Sequence, residues 1–436
     1  MKYNFDRIAG YTKEKNELIS LRNLLINVEG FRKAGVRMPR GVLLYGAPGV
    51  GKTVMAKSII ADGISCVELR SADCTRENSE DYVLKAFEEA RSKAPCVLLI
   101  DELDKIAEGN DNFYMEGNDR IMKVLLQELD GQKDNSGVMV VATCNNFHNL
   151  NSALTRSGRF DRIIEIGSPT FEDRVAIIGY YLDRVNLEKV LNVEYFAKIT
   201  AGYTGAQLEC IINEAGIAAM QSGSGVIDIK LIQLAMNRIA FRALEGKINS
   251  SEERWKTAVH EAGHAVVAMC TAPKNVCSAS IIPQGKVRGY VRMVLEEEEK
   301  SESIEDVENS IMVGLAGTIA EEVILGTRYT SSGLDLIRVR EKLLYLISGI
   351  GAYGIELAGI SSRRHYDSSS VSEHSSAKID AIYSEKIQIF YGHTKRLLEE
   401  NRELAECIAH TLVEKSTLSG DELMELYQLY NGKRSA

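Results

Sequence analysis

Two short stretches combine residue types at spacings that suit chemistry. His260-Glu261-Ala262-Gly263-His264 fits the pattern H-E-x-x-H. On a helix, side chains four apart share a face, so both imidazoles can converge on one cation. Glu261, one residue round, can reach a water on that cation and act as general base, which is zinc peptidase chemistry. Gly46-Ala47-Pro48-Gly49-Val50-Gly51-Lys52-Thr53 fits G-x-x-x-x-G-K-T. Its glycines let backbone N–H groups turn inward around phosphate oxygens, and a following helix adds its positive end. Lys52 can then reach the β/γ-phosphates, and the Thr53 hydroxyl can take a Mg2+ position. Val97-Leu98-Leu99-Ile100-Asp101-Glu102 supplies the matching half, an apolar strand ending in two carboxylates. Asp101 would hold Mg2+ and Glu102 would polarise the attacking water, so the pattern predicts ATP hydrolysis rather than ATP binding alone. A catalytic zinc needs a third protein ligand. The residues by themselves leave Glu321, Glu322, Asp335 and later acids open for that position.

These groups need particular elements to hold them. Gly41–Tyr45, Cys96–Ile100 and Val138–Thr143 read as buried strands, and Val54–Ala61 and Tyr82–Ser92 as helices between them. Strands alternating with helices predict a mostly parallel sheet covered on both faces, over residues 1–169. Residues 170–247 carry helical periodicity without a strong strand signal and read as a small helical subdomain. A linker is placed at 248–252, within the polar stretch GKINSSEE. Residues 253–436 are expected to form a mainly helical domain containing the helix Trp255–Met269, with a strand-like interruption near Ser278–Leu295. Ser361–Ser376 is Ser-rich and reads as a loop.

The chain has 436 residues, enough for two to four domains with cores of their own. Lys+Arg number 52 against 61 Asp+Glu, a net charge of −9, which argues against a general nucleic-acid binder. No apolar run is long enough to span a bilayer, and the first residues lack the apolar core of a signal peptide. The eight cysteines are scattered with no C-x-x-C pair, the pattern of thiols in a reducing cytoplasm, and a cytoplasmic location is expected.

The motifs of the first half resemble an AAA ATPase module. The resemblance implies that Asn145, after the third strand, is the polar sensor near the γ-phosphate. Arg156-Ser157-Gly158-Arg159-Phe160-Asp161-Arg162 is similar to that family's R-P-G-R-F-D-R segment, which makes Arg159 and Arg162 arginine fingers reaching the ATP of a neighbouring subunit. Trans fingers require a ring, so a homo-hexamer is implied. Ile8-Ala9-Gly10 and Gly205-Ala206 match the segments that flank adenine. From Asn4-Phe5 to Ser419-Gly420 the whole chain resembles the FtsH family of AAA zinc metalloproteases. That likeness implies a P-loop α/β ATPase domain with a helical lid, followed by a mainly α-helical zinc metallopeptidase domain. Ala316-Gly317-Thr318-Ile319-Ala320-Glu321-Glu322 resembles the family's A-G-x-x-A-E-E helix. Thr330–Leu336 resembles its T-x-x-x-x-D-[FL] segment, whose Asp, here Asp335, is the third zinc ligand. Glu321 and Glu322 then become structural or supporting residues. Pro283–Val291 is similar to an edge strand on which an extended substrate adds by backbone pairing. The implied activity is ATP-dependent proteolysis of polypeptides with Zn2+, ATP and Mg2+. The alternative is an ATP-driven remodelling ring with minor proteolysis.

Four departures qualify the resemblance. The transmembrane helices that usually precede the ATPase are not in this chain, which leaves room for an adaptor or a membrane partner. The pore-loop position, Cys74–Ser79, has no aromatic residue. The family's D-G-F motif reads Asp130-Gly131-Gln132, and its acid after Gly-Ala is Gln207. The pore loop that grips unfolded chains is thus altered, and a restricted set of substrates is expected.

Overall fold

The computed structural model describes residues 5–60, 63–70, 79–107, 116–130, 137–147, 150–241, 250–282, 289–293, 302–330, 333–359 and 372–434. The chain divides into two compact units, 1–235 and 236–436.

The first unit opens with α1 (Thr12–Ile26) and α2 (Val28–Lys33), then builds a parallel five-stranded sheet. Its strands are β1 (Gly41–Tyr45), β2 (Ser65–Arg70), β3 (Cys96–Asp101), β4 (Val138–Cys144) and β5 (Phe160–Glu165), in the order β2-β3-β4-β1-β5. Helices α3 (Lys52–Ser58), α4 (Ser79–Ser92), α5 (Leu103–Ala107) and α6 (Glu116–Leu129) alternate with them. The central strands β1, β3 and β4 are near-continuous apolar runs because both faces are covered. Leu43, Leu98, Ile100, Val140 and Ala142 pack with Val83 and Phe87 of α4 and Leu125 of α6. The alternating Val42, Leu44, Val97, Leu99 and Val141 are equally buried on the opposite side. The expected sheet and helices are therefore present, with α3 starting at Lys52 rather than at Val54.

The lid contains α7 (Phe171–Leu182), α8 (Val193–Ile199), α9 (Gly205–Gln221) and α10 (Ile229–Phe241). It also holds a parallel strand pair, β6 (Glu188–Val190) with β7 (Val226–Asp228), where no strand was expected. Three residues are too few to show a period of two, and β6 is exposed throughout.

The second unit is organised by α11 (Ser251–Thr271). Thirteen consecutive residues, Thr257–Met269, are buried, so this helix runs through the core rather than over it. It begins inside the stretch read as linker because Ser250 Oγ accepts from Glu253 N–H at 3.2 Å and caps it. Around it lie α12 (Ile304–Ala320), α13 (Gly333–Leu344), α14 (Glu373–Glu400), α15 (Arg402–Lys415) and α16 (Gly420–Arg434). The strand-like interruption resolves into β8 (Val276–Ser280) and β9 (Tyr290–Met293), joined by β10 (Thr417–Ser419) in an antiparallel sheet of order β10-β8-β9. Glu373–Ser376, expected in the Ser-rich loop, open α14, because Ser372 accepts from Ser375 N–H as its N-cap. Residues 360–371 lie outside the described residues. Among those described, no helix is long and apolar enough to cross a membrane.

Candidate active sites

In the first unit, the C-terminal ends of β1, β3 and β4 lie side by side, and their loops converge where open α/β sheets bind ligands. A cavity of about 400 Å³ opens there. Its walls include Pro48–Thr53, Asp101, Glu102 and Asn145, with Ile8, Ala9, Gly205 and Ala206. The sheet thus brings together the phosphate-binding, carboxylate and base-flanking residues expected from the sequence. Gly10 sits beside the cavity at φ +67°, and the next amide, Tyr11 N–H, donates to Asp173 Oδ1 at 2.6 Å. Gly51 is left-handed at φ +102° and caps α3, which turns the loop into the helix.

Lys52 is buried and its Nζ donates to Gly46 O and Ala47 O at 2.7 and 2.8 Å. Burial lowers its pKa, with the Asp104 carboxylate the leading opposing charge. Asp101 Oδ1 accepts from Thr53 Oγ1 at 2.9 Å and from Thr143 Oγ1 at 2.6 Å. Thr143 Oγ1 in turn accepts Glu102 N–H at 2.9 Å. This threonine, which reads as a plain strand former, fixes both carboxylate-bearing residues. Glu102 turns off the strand in the left-handed region, φ 57°, and its Oε2 accepts from Lys105 Nζ at 2.6 Å. Asn145 N–H donates to the buried Asp104 Oδ2 at 3.0 Å, a second anchor that no motif signalled.

The two expected fingers differ. Arg159 donates from Nε and Nη2 to the two oxygens of Asp130, at 2.6 and 2.9 Å, and from Nη1 to Ala153 O. Arg162 is exposed on β5. Gln207 takes part in the capping box of α9, accepting Thr204 N–H at 2.8 Å through Oε1, the role a carboxylate would serve. Residues 71–78, 131–136 and 283–288, which hold most of the pore-loop position, Gly131-Gln132 and the start of the expected edge strand, lie outside the described residues.

In the second unit, His260 Nε2 and His264 Nε2 are 3.1 Å apart, and Asp335 Oδ2 on α13 lies 3.4 Å from the first and 3.8 Å from the second. Zinc bonds of ~2.0–2.1 Å in a tetrahedron imply donor separations of roughly 3.3–3.4 Å, so this donor set fits zinc. Each imidazole is oriented from behind. His264 Nδ1–H donates to Val313 O at 2.6 Å, and His260 Nδ1 meets Glu321 Oε1 at 2.9 Å. With Nδ1 so engaged, each ring turns Nε2 toward the cation position. Glu321, 1% exposed, also accepts Tyr329 N–H through Oε2 at 2.8 Å. It opens a single π-helical turn, Glu321–Leu325, after α12. Its neighbour Glu322 faces away, to Lys395, Tyr391 and Arg328. The close approach of α12 depends on glycine: a Cβ at Gly317 would lie 2.5 Å from His260 Nε2 and from His264 Nε2. Glu261 is buried beside Gly289, whose Cβ would come 2.6 Å from its Oε1, and burial pushes its pKa up to about 8. Burial holds His264 down to about 4.

Comparison with known proteins agrees with this architecture. Residues 42–168 match the ATPase family associated with various cellular activities, 191–233 the AAA+ lid domain and 247–426 peptidase family M41. The ATP-dependent zinc metalloprotease FtsH of Rickettsia typhi is 31% identical, with 98% of this chain and 69% of that protein covered. The ATP-dependent zinc metalloprotease FtsH 2 of Symbiobacterium thermophilum is 32% identical, covering 97% of this chain and 74% of its own length. With an α/β ATPase, a lid and a helical M41 peptidase unit on one chain, this protein belongs to the FtsH family of ATP-dependent zinc metalloproteases.

Proposed function

We infer that this chain couples ATP hydrolysis to zinc-dependent cleavage of polypeptides, and that the residues gathered at the two sites divide the work as follows. Lys52 binds the β/γ-phosphates, and Thr53 and Asp101, already hydrogen bonded to each other, hold Mg2+. Glu102 polarises the attacking water once its carboxylate leaves Lys105, and Asn145 orients that water. Ile8, Ala9, Gly10, Gly205 and Ala206 enclose the base. Arg162, exposed, reaches the triphosphate of the next subunit in a homo-hexameric ring. Arg159 joins it on release from Asp130 and until then braces the loop.

His260, His264 and Asp335 hold zinc, which when bound supplies a Lewis acid for the scissile carbonyl and lowers the pKa of the attacking water toward ~7. Glu261 takes the proton from that water and returns it to the leaving amine. An extended substrate adds to β9, whose one sheet neighbour among the described residues is β8. The altered pore-loop sequence favours a restricted set of substrates, already unfolded or delivered by an adaptor or membrane partner. A reducing compartment such as the cytoplasm suits the described cysteines, none of which forms a disulfide with another.

The observation that carries the reading is the donor triangle of His260, His264 and Asp335 with both Nδ1 atoms engaged from behind. Casein degradation by wild type, Glu261→Gln and Glu102→Gln, each with and without ATP, tests it. Both variants should lose ATP-dependent degradation, and full cleavage by Glu102→Gln would refute the coupling.

A further inference from the structure

The loop Ile8–Gly10 and the lid meet through a side chain, Asp173, that does not itself line the nucleotide cavity. Within the loop the ties are local: Ile8 N–H donates to Phe5 O and Lys15 Nζ to Ile8 O, each at 3.0 Å. The next residue, Tyr11, is 5% exposed and reaches segments far along the chain. Its hydroxyl donates to Gly167 O at 3.0 Å, just after β5. Its backbone N–H donates to Asp173 Oδ1 at 2.6 Å, in the first turn of α7. Asp173 divides its two oxygens. Oδ2 accepts from Thr170 N–H at 3.1 Å and from Thr170 Oγ1 at 2.9 Å, which closes the capping box of α7. Oδ1 takes the loop. The approach is close enough to need glycine: a Cβ on Gly10, at φ +67°, would lie 2.9 Å from Asp173 Cα, Cβ and Oδ1. Further along α7, Ile177, Tyr180 and Tyr181 line the cavity, facing a wall to which the loop gives Ile8 and Ala9. The lid also meets the phosphate loop, because Ala206 N–H at the start of α9 donates to Gly49 O at 3.1 Å.

We propose that Asp173 is a positioning residue for nucleotide binding: by holding the Tyr11 amide on α7, it fixes the spacing between the base-flanking loop and the lid. This rests on the ATPase reading above and deepens it. The amide of a residue this buried needs an acceptor, and a carboxylate makes a strong one. Without it, Tyr11 N–H is left unpaired, or the loop moves off the lid to reach water. Nucleotide binding must then reverse that movement, so part of the binding free energy goes into ordering the loop. The groups assigned to the phosphates and the attacking water, Lys52, Thr53, Asp101 and Glu102, keep their own contacts. Affinity should therefore fall while the chemical step stays close to normal.

The test measures the Kd of ribose-labelled fluorescent ADP, with KM and kcat for ATP hydrolysis, on the full chain. Asp173→Ala should weaken the analogue roughly 10–100-fold, the scale of a lost hydrogen bond to a charged acceptor, and raise KM while kcat stays within about threefold. Thr170→Ala removes a hydroxyl from the same cap but keeps the bond between Asp173 and Tyr11. It should lower the melting temperature about as much as Asp173→Ala, yet bind the analogue within about twofold of wild type. Asp173→Asn, whose amide oxygen can still take Tyr11 N–H, should recover most of the lost affinity. Gly10→Ala crowds Asp173 without touching the cap of α7, so it should weaken the analogue comparably and keeps the test decisive if Asp173→Ala does not fold. Either Asp173→Ala or Gly10→Ala binding the analogue as wild type does overturns the proposal. So does equal weakening by Thr170→Ala, because helix capping alone then explains the effect. In these cases wild type still binds nucleotide and the ATPase reading stands. If wild type binds no nucleotide, the ATPase reading fails and the positioning role with it.

Discussion

Replacing Glu321 by Gln should weaken zinc binding although Glu321 touches no zinc. Its two oxygens do separate jobs: Oε1 meets His260 Nδ1 at 2.9 Å, and Oε2 accepts Tyr329 N–H at 2.8 Å. A glutamine has one acceptor and one donor, so it can satisfy only one of these as they stand. With its oxygen on His260, its amide N–H groups face Tyr329 N–H, donor against donor, at a site 1% exposed. With its oxygen on Tyr329, its amide donates to His260 Nδ1, which forces the imidazole proton onto Nε2, the atom that faces His264 and Asp335. A buried unpaired donor costs ~1–3 kcal/mol. At about 1.4 kcal/mol per tenfold, that is roughly 5–150-fold in zinc affinity, in line with about 10–100-fold for losing a supporting contact to a metal ligand. Competition against a chromogenic chelator measures the zinc Kd, and circular dichroism checks that the variant is folded. A folded Glu321→Gln binding zinc within twofold of wild type would refute the reasoning, because His260 would then need no support from behind.

Gly317→Ala should abolish stoichiometric zinc while leaving the protein folded and ATP hydrolysis intact, since the added methyl meets both Nε2 atoms at 2.5 Å. Metal analysis after dialysis checks it. Thr143→Val removes the hydroxyl that joins Asp101 to the Glu102 amide. Phosphate-release assays should show kcat for ATP falling roughly 5–150-fold, the equivalent of losing about 1–3 kcal/mol of buried hydrogen bonding, with KM changed far less. The carboxyl of Glu322 is held down to about 2 by Lys395, then Tyr391 and Arg328. A folded-state value below the unfolded one gives stability that is complete above the unfolded pKa of about 4.3 and disappears as pH falls through the folded value. The melting-temperature gap between wild type and Glu322→Gln should therefore be widest near neutral pH and narrow steadily below about pH 4. A gap that stays constant on acidification would contradict it.

What could be read from the sequence was what is local. The P-loop, the carboxylates ending β3 and the two histidines four apart each announce themselves within a few residues, and the strands of the sheet are apolar runs whose burial on both faces forbids much else. Asp335 needed the family likeness, because its distance from His260 is set by tertiary packing and nothing in the intervening chain encodes it. Thr143 was hidden for another reason. A threonine next to last in VMVVATC is an ordinary strand residue, and its role arises only because parallel pairing of β3 and β4 sets it beside Asp101. Asp104 likewise matters through Asn145 N–H, a contact between segments far apart in the chain. The short β6–β7 pair fell below the length at which alternation can be seen.

The adjacent pair Glu321 and Glu322 shows how these limits combine. In sequence the two are equivalent acids, and either could be proposed as a ligand. In the fold, the π-helical turn that begins at Glu321 sends its side chain inward to His260 and leaves Glu322 to the cluster of Lys395, Tyr391 and Arg328. That inward reach is available only because α12 lies hard against α11. A Cβ at Gly263 would stand 2.4 Å from Ala320 Cβ and 2.6 Å from Ala316 O, and one at Gly317 would strike the imidazoles themselves. Ala316-Gly317-x-x-Ala320-Glu321 is therefore one device. The small residues remove side-chain bulk between two helices so that backbone can lie against the ligands, and the acid one step further along then sits within hydrogen-bond reach of His260. Any bulkier residue at 317 should act as a ligand mutation although no ligand atom has changed, which separates this account from one in which the segment merely fills the core.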